Sequence, residues 1–154
     1  IYGRKFVLEA SEAFFRPKRS SHIVMANFIK GIGIDIVAIA RVQKVVEQHG
    51  ERFLRKAFHP KEIAQYEAKS KEAGKPAFHY LSARWAAKES LFKALGGSYR
   101  IPFPEIKVTP NAKGQPMISA EGKAKEMLDK FGAKEVMVSI SHDTDYAIAQ
   151  VLIQ

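Results

Sequence analysis

The chain has no cysteine. That excludes disulfides, thiolate catalysis and cysteine-ligated zinc, and it fits a reducing compartment. No apolar run approaches the ~20 residues needed to span a bilayer, so no membrane partner is expected and a cytoplasmic location is. Internal repeats and low-complexity segments are also missing. Acidic residues are in deficit, with 16 Asp and Glu against 25 Lys and Arg, giving a net charge of +9 and a pI near 9.8. Such a surface attracts anionic partners: nucleic acid, anionic lipid, phosphorylated cofactors or acidic proteins.

What is present fits one domain. The 154 residues are 46% hydrophobic and 27% charged, enough for a real core. Residues 1–24 differ from the rest and carry +3 of the net charge, with Arg4, Lys5, Arg16, Lys18 and Arg19 against Glu9 and Glu12. They are read as an extension, a cloning residue, upstream translation or a targeting remnant, and lack a secretory apolar segment. Met25 is expected to be the natural start, and residues 25–154 to form the domain.

Residues 28–37 alternate as a strand. Ile32, Ile34 and Ile36 lie on one face; Gly31, Gly33 and Asp35 lie on the other, where the glycines are expected to let a ligand approach the backbone. A helix is predicted over 39–49, ended by Gly50, and another from Pro60 with Ile63 and Tyr66 inward. Residues 69–76 read as a polar breaker. The strongest helical pattern covers 77–95, with Leu81, Trp85, Phe92 and Leu95 in phase and Gly96-Gly97 as the stop. A hairpin over 105–119, a helix over 121–131 and a final strand pair, 135–141 and 146–152, complete an α+β fold with a mainly antiparallel sheet around a long helix and shorter helices.

The candidate chemistry centres on two carboxylates. Asp35 sits on a strand, where Asp is depleted and an unpaired buried charge is costly. Glu89 has an ordinary explanation as the i,i+4 helix-surface partner of Lys93. Lys88 falls on the helix arc of Leu81, Phe92 and Leu95, with Arg84 near its edge, so these cations either snorkel to water or meet an anion. Two carboxylates on rigid elements among cations suit a hard metal ion carrying a phosphate substrate. His142, placed at a hairpin tip, is chemically able to bind phosphate or move a proton. Asp143 and Asp145 read as turn residues, and His49, His59 and His79 as isolated. The Gly-Ile-Gly stretch lacks the third glycine of a dinucleotide fingerprint.

In order and spacing, Gly31-Ile-Gly-Ile-Asp-Ile-Val37, Arg41, Glu51-Arg-Phe53, Arg84-Trp-Ala-Ala-Lys-Glu-Ser-Leu-Phe-Lys-Ala-Leu-Gly96 and Ser139-Ile-Ser-His142 closely resemble the holo-[acyl-carrier-protein] synthases, small bacterial-type 4′-phosphopantetheinyl transferases. The resemblance runs from about Phe28 to the C-terminus. It implies the 4′-phosphopantetheinyl transferase fold, a homotrimer with sites between subunits, and transfer of the phosphopantetheine arm of coenzyme A to a serine of apo-acyl carrier protein in fatty acid biosynthesis. It further implies that Asp35 and Glu89 are catalytic and hold Mg²⁺, with Mn²⁺ as an alternative. Lys88 and His142 are implied to be catalytic and to lie near the CoA phosphates, and Lys93 is implied to bind the substrate near the same phosphates. Gly96, Ser141 and Arg84 are implied to line the CoA site. Arg41, Lys44, Arg52 and Arg55 form a basic stretch suited to an acidic carrier-protein helix, or a solvated helix face. Trp85 stands where the family usually has Phe, and Ser90 where Ala is common. Two alternatives are a CoA pyrophosphate hydrolase and a non-catalytic basic nucleic-acid-binding module, although no nucleic-acid signature is found and no nucleic-acid partner is expected.

Overall fold

A computed structural model describes residues 28–97 and 100–154. The 1–24 extension and Met25 lie outside the described residues. A three-stranded sheet is built from β1 (Gly31–Ala38), β4 (Val136–Asp143) and β5 (Tyr146–Ile153), in the order β1-β5-β4. A hairpin of β2 (Ile106–Pro110) and β3 (Pro116–Ala120) forms a second sheet, and every strand pair is antiparallel. Four helices, α1 (Ile39–Ala57), α2 (Pro60–Ala73), α3 (Phe78–Ala94) and α4 (Gly122–Phe131), complete the expected α+β architecture.

The packing of α3 onto β1 and β5 organises the molecule. The glycine face of β1 does not admit a ligand: it admits this helix. A Cβ added at Gly31 would lie 2.1 Å from the Ala94 carbonyl oxygen, and one at Gly33 2.0 Å from that of Ser90. Helix and strand therefore meet nearly backbone to backbone. Small residues continue the contact, with Ala86, Ala87, Ser90 and Ala94 of α3 buried alongside Ala147 and Ala149 of β5. The single hydroxyl proton of Ser90 is shared between the Ala149 carbonyl, 2.8 Å from Oγ, and the Ala86 carbonyl of its own helix, 2.7 Å away. Thus Ser90, the departure from the family's usual alanine, ties helix to sheet.

The isoleucine face of β1 points the other way and is uncovered. Ile32, Ile34 and Ile36 are 61%, 55% and 62% exposed. The core lies on the helix side. Val42, Leu54, Phe58 and Leu81 form one end of it, and Leu91, Ile106, Leu128, Val151 and Ile153 form the other.

Two predicted boundaries are corrected. Gly50 does not end the first helix. It adopts φ 50°, ψ −135°, kinking α1, and the helix resumes to Ala57. A residue with a Cβ is strained in that conformation, so the glycine marks a bend that two helical segments flank. The polar segment from Lys69 does not break α2, which runs to Ala73 and stops at Gly74 in the left-handed region. Polar residues there are simply a solvated face. Helix α2 starts at Pro60 as predicted. His59 caps it: its Nδ1 accepts from the Lys61 amide at 3.0 Å while Glu62 Oε2 accepts from the His59 amide at 2.9 Å.

The close approach makes a testable demand. Gly33→Ala is expected to destabilise the fold by about 3 kcal/mol or more, because helix backbone rather than a movable side chain blocks the new methyl. Urea unfolding measures this; a midpoint unchanged from the parent would mean that α3 is not seated on β1 in this way.

Candidate active site

Seating α3 on β1 brings the two carboxylates together. Asp35 projects from the helix-facing side of β1, opposite Ala149 in the register. One turn of α3 carries Glu89 and Lys93. Lys93 does not make the i,i+4 surface pair considered above. Its Nζ donates to Asp35 Oδ1 at 2.8 Å and to the Ile34 carbonyl at 3.0 Å. The Asp35 side chain is 14% exposed and that of Lys93 48%, so this pair bridges the edge of the site rather than its interior. Burial pushes the Glu89 carboxyl above the usual carboxylate range and neighbouring Asp35 adds to the effect, while Lys93 and Arg41 oppose it. Asp35, Glu89, Lys93 and Arg41, from β1, α3 and α1, therefore form one electrostatic cluster. Among the described residues, no group of three or more His, Cys, Asp or Glu is placed to hold a metal ion.

A groove of about 470 Å³ opens from Glu89, lined further by Phe92, Arg100, Ile101, Pro102 and Phe103. Gly96 and Gly97, both at positive φ, end α3 just ahead of this wall. Arg100 was missed by sequence reasoning. It lies on an irregular segment with no periodicity to mark its face.

A second, cationic cleft of about 210 Å³ is lined by Lys69, His79, Tyr80, Ala83, Arg84 and His142. The Arg84 guanidinium stacks 3.8 Å from the Tyr80 ring centre, and its Nε is buried without a hydrogen-bond partner. His142 is not at the hairpin tip. It lies within β4 opposite Ala147, and Thr144 and Asp145 make the turn. Its ring centre is 5.8 Å from that of His79, so His79 is not isolated. Burial, then His142, Lys69, Lys75 and Arg84, hold the His79 pKa below its ordinary value. The Tyr80–Arg84 spacing of i,i+4 was legible locally; the His79–His142 approach depends on tertiary packing.

Strand parity separates the two adjacent residues of the Ser141-His142 motif. His142 pairs with Ala147, on the helix side. Ser141 pairs with Ile148 and so shares the outer face with Ile36. There it lines a shallow depression with Ile34 and Ser139. Ser141 is thus not brought to the carboxylates within one chain.

Lys88 is also not beside a phosphate-sized opening. It is fully buried, and its Nζ meets Glu62 Oε2 at 2.7 Å, the Phe103 carbonyl at 2.9 Å and the Ala57 carbonyl at 3.0 Å. Of the two fates open to a cation on that arc, it meets an anion. Burial pushes its pKa down and Glu62 opposes that. Glu62 was another omission, because a Glu in a first helical turn is ordinarily read as a cap. The four carrier-protein candidates Arg41, Lys44, Arg52 and Arg55 are exposed on α1, two on each side of the Gly50 kink. Arg55 is paired with Glu51. Arg52 also lines a cleft of about 280 Å³ with His49, Phe53 and Lys56.

Known proteins resemble this chain in sequence and fold. Residues 31–151 match the family model described as the 4′-phosphopantetheinyl transferase superfamily. The holo-[acyl-carrier-protein] synthase of Halothermothrix orenii is 38% identical over 125 residues, covering 80% of this chain and 96% of that protein. Among solved structures, the holo-[acyl-carrier-protein] synthase of Neisseria meningitidis superposes with a TM-score of 0.73 at 31% identity, covering 82% of this chain and 99% of that one. That of Helicobacter pylori, solved in complex with coenzyme A, gives a TM-score of 0.67 at 34% identity, covering 80% and 99%. These matches replace the nucleic-acid-module alternative, and the chain belongs to the 4′-phosphopantetheinyl transferase superfamily.

Proposed function

We propose that this chain is a holo-[acyl-carrier-protein] synthase that transfers the 4′-phosphopantetheine of coenzyme A to a serine of an apo-acyl carrier protein. The observation that carries the reading is the convergence of Asp35, Glu89 and Lys93 beside a groove, on a fold shared with a synthase solved with coenzyme A. The serine oxygen attacks the β-phosphorus. The bond from that phosphorus to the bridging oxygen breaks, adenosine 3′,5′-bisphosphate leaves, and the serine gives up its proton. No protein nucleophile is required; alignment and charge stabilisation suffice.

The residues present fit a divalent cation. Burial and then the neighbouring Asp35 charge make Glu89 costly to ionise, and a shared positive ion relieves that cost. Mg²⁺ is commonly held by one or two carboxylates together with substrate phosphates, so a third protein ligand is not needed. Asp35 and Glu89 would hold Mg²⁺, or Mn²⁺ in its place. When bound, the ion supplies charge neutralisation at the pyrophosphate. Lys93, already at the Asp35 carboxylate, keeps that group oriented and adds a positive charge beside the two carboxylates. The Arg84–His142 cleft suits a further phosphate of CoA, with the unpartnered Arg84 Nε as a donor in waiting. Arg41, Lys44, Arg52 and Arg55 suit the acidic surface of a carrier protein.

The uncovered isoleucine face supports a homotrimer. Ile32, Ile34 and Ile36 make an apolar row of the kind that marks an interface, and Ser141 shares that face. A site completed by a neighbouring subunit follows from this reading. No described helix is long and apolar enough to cross a membrane, and a cytoplasmic setting is part of the proposal.

Incubation with CoA, Mg²⁺ and an apo-acyl carrier protein is expected to add one phosphopantetheine to the carrier by intact mass. Chelation should abolish the gain, and Asp35→Ala or Glu89→Ala should lower turnover by about 10²-fold or more with the fold intact. Full activity in both variants would remove the metal assignment.

Without divalent cation, Glu89→Gln is expected to raise the melting temperature by about 2–5 °C at neutral pH. The folded-state pKa of Glu89 is raised, so its contribution to stability is most favourable at low pH and falls as pH rises through that value. The gain from Gln should therefore shrink as pH drops into the ordinary carboxylate range; a gain that grew on acidification would contradict the assigned shift.

Ile34→Asp should convert a trimer to a smaller species in analytical ultracentrifugation. A parent chain that sediments as a monomer would end the trimer reading.

A further inference from the structure

The Glu62–Lys88 pair lines neither the groove at Glu89 nor the Arg84–His142 cleft. Both side chains are fully buried and their closest atoms are 2.7 Å apart. An ammonium has three protons, and those of Lys88 face Glu62 Oε2, the Phe103 carbonyl and the Ala57 carbonyl. Glu62 is equally engaged: Oε1 accepts from the Val108 amide and Oε2 from the His59 amide, each at 2.9 Å. The node therefore links the end of α1, the start of α2, the middle of α3, the 3-10 turn at Phe103 and strand β2.

Buried ion pairs are poor sources of stability, since a well-packed apolar pair of similar volume is often as stable or more so. What a pair of this kind supplies is direction. The Phe103 carbonyl belongs to one wall of the groove, and Glu89, next to Lys88 in sequence, belongs to the other. Lys88 thus reaches from α3, behind the carboxylate, to the facing wall. Trp85, one turn earlier on α3, packs edge-on to Phe103 with ring centres 5.7 Å apart.

We propose that Glu62, acting through Lys88, is a positioning residue that fixes the separation between α3 and the 101–103 wall, and thereby the fit of the groove to coenzyme A. This rests on the transferase reading for the identity of the ligand. The placement of the wall itself does not.

The test is the double substitution Glu62→Gln with Lys88→Met. It removes both charges together, so neither is left buried and unpaired, and it removes the tie to Phe103. With a native circular dichroism spectrum, the variant is expected to show CoA KM and Kd raised about tenfold, carrier-protein KM changed less than about twofold, and Trp85 emission altered. Trp85 is the sole tryptophan, so emission and acrylamide quenching report on its surroundings alone, where Phe103 packs with Phe53 and Phe58. A loss of folded enzyme alone would lower apparent kcat and leave both KM values and the CoA Kd unchanged. Unchanged CoA affinity and unchanged Trp85 emission in the folded variant would overturn the proposal. If the parent chain binds no CoA, the transferase reading fails; Trp85 emission then still decides whether the pair holds the wall. Should the double variant lack the native spectrum, Lys88→Met alone, which removes the tie to Phe103 and leaves Glu62 its His59 and Val108 amide donors, is read by the same measurements with the same expected and overturning results.

Discussion

The contact of α3 with β1, made without intervening side chains, is the constraint on which the rest depends. A helix laid on a sheet is normally held off by a layer of side chains. Here Gly31 and Gly33 remove that layer on the strand, and alanines and Ser90 remove it on the helix. The extra depth brings the last turns of α3 beside the end of β1. Lys93 reaches both the Ile34 carbonyl and the Asp35 carboxylate, and Glu89 feels the Asp35 charge. A conventional spacing would hold these groups farther apart. The glycines therefore serve chemistry indirectly: they admit the helix, and the helix brings the second carboxylate.

The same helix gives its cations three different environments. Arg84 lies on the Tyr80 ring at a cleft, Lys88 is enclosed with Glu62, and Lys93 is half exposed against Asp35. Arg84 lines an opening that a phosphate could enter, Lys93 is open to solvent, and Lys88 is enclosed. A net charge of +9 attracts anions from a distance, but it says nothing about which cations meet them. That choice is made by the phase of each residue around α3. Glu89 completes the pattern from the opposite direction, as a carboxyl held in a site that burial and a like charge make costly. On the proposed reading, that cost is what a divalent cation would relieve.

Much of this was legible in the sequence because it is local. The strand parity of β1, the phase of α3, the Pro60 start and the Asn111–Gly114 turn depend on neighbours within a few residues, and each of these elements stands close to its predicted bounds. The errors arose where meaning depends on what packs against a residue. Gly50 looks like a helix stop, yet a bend is the other use of a positive φ, and only the resumed helix tells them apart. Gly31 and Gly33 signal close approach without naming what approaches. Glu62 carries the local signature of a capping box, and that is real; its second role at Val108 and Lys88 spans separations that no window contains. Lys88 could be placed on an apolar arc, but the anion that meets it lies on another helix.

The outer face of the sheet follows from the economy of the inner one. Three strands covered by one helix on one side leave the alternate residues of β1 without a partner, and those residues are isoleucines rather than polar groups. Parity then forces a division along β4: His142 looks toward α3 and its own chain's cationic cleft, while Ser141 looks out from the opposite side. Neighbours in a strand cannot serve one pocket of a single chain from opposite faces. If both act on one substrate, the second face has to be met by another copy of the chain, and the apolar row flanking Ser141 is the surface on which that copy would sit. On that reading the motif and the isoleucines make the same demand, one through chemistry and the other through the hydrophobic effect.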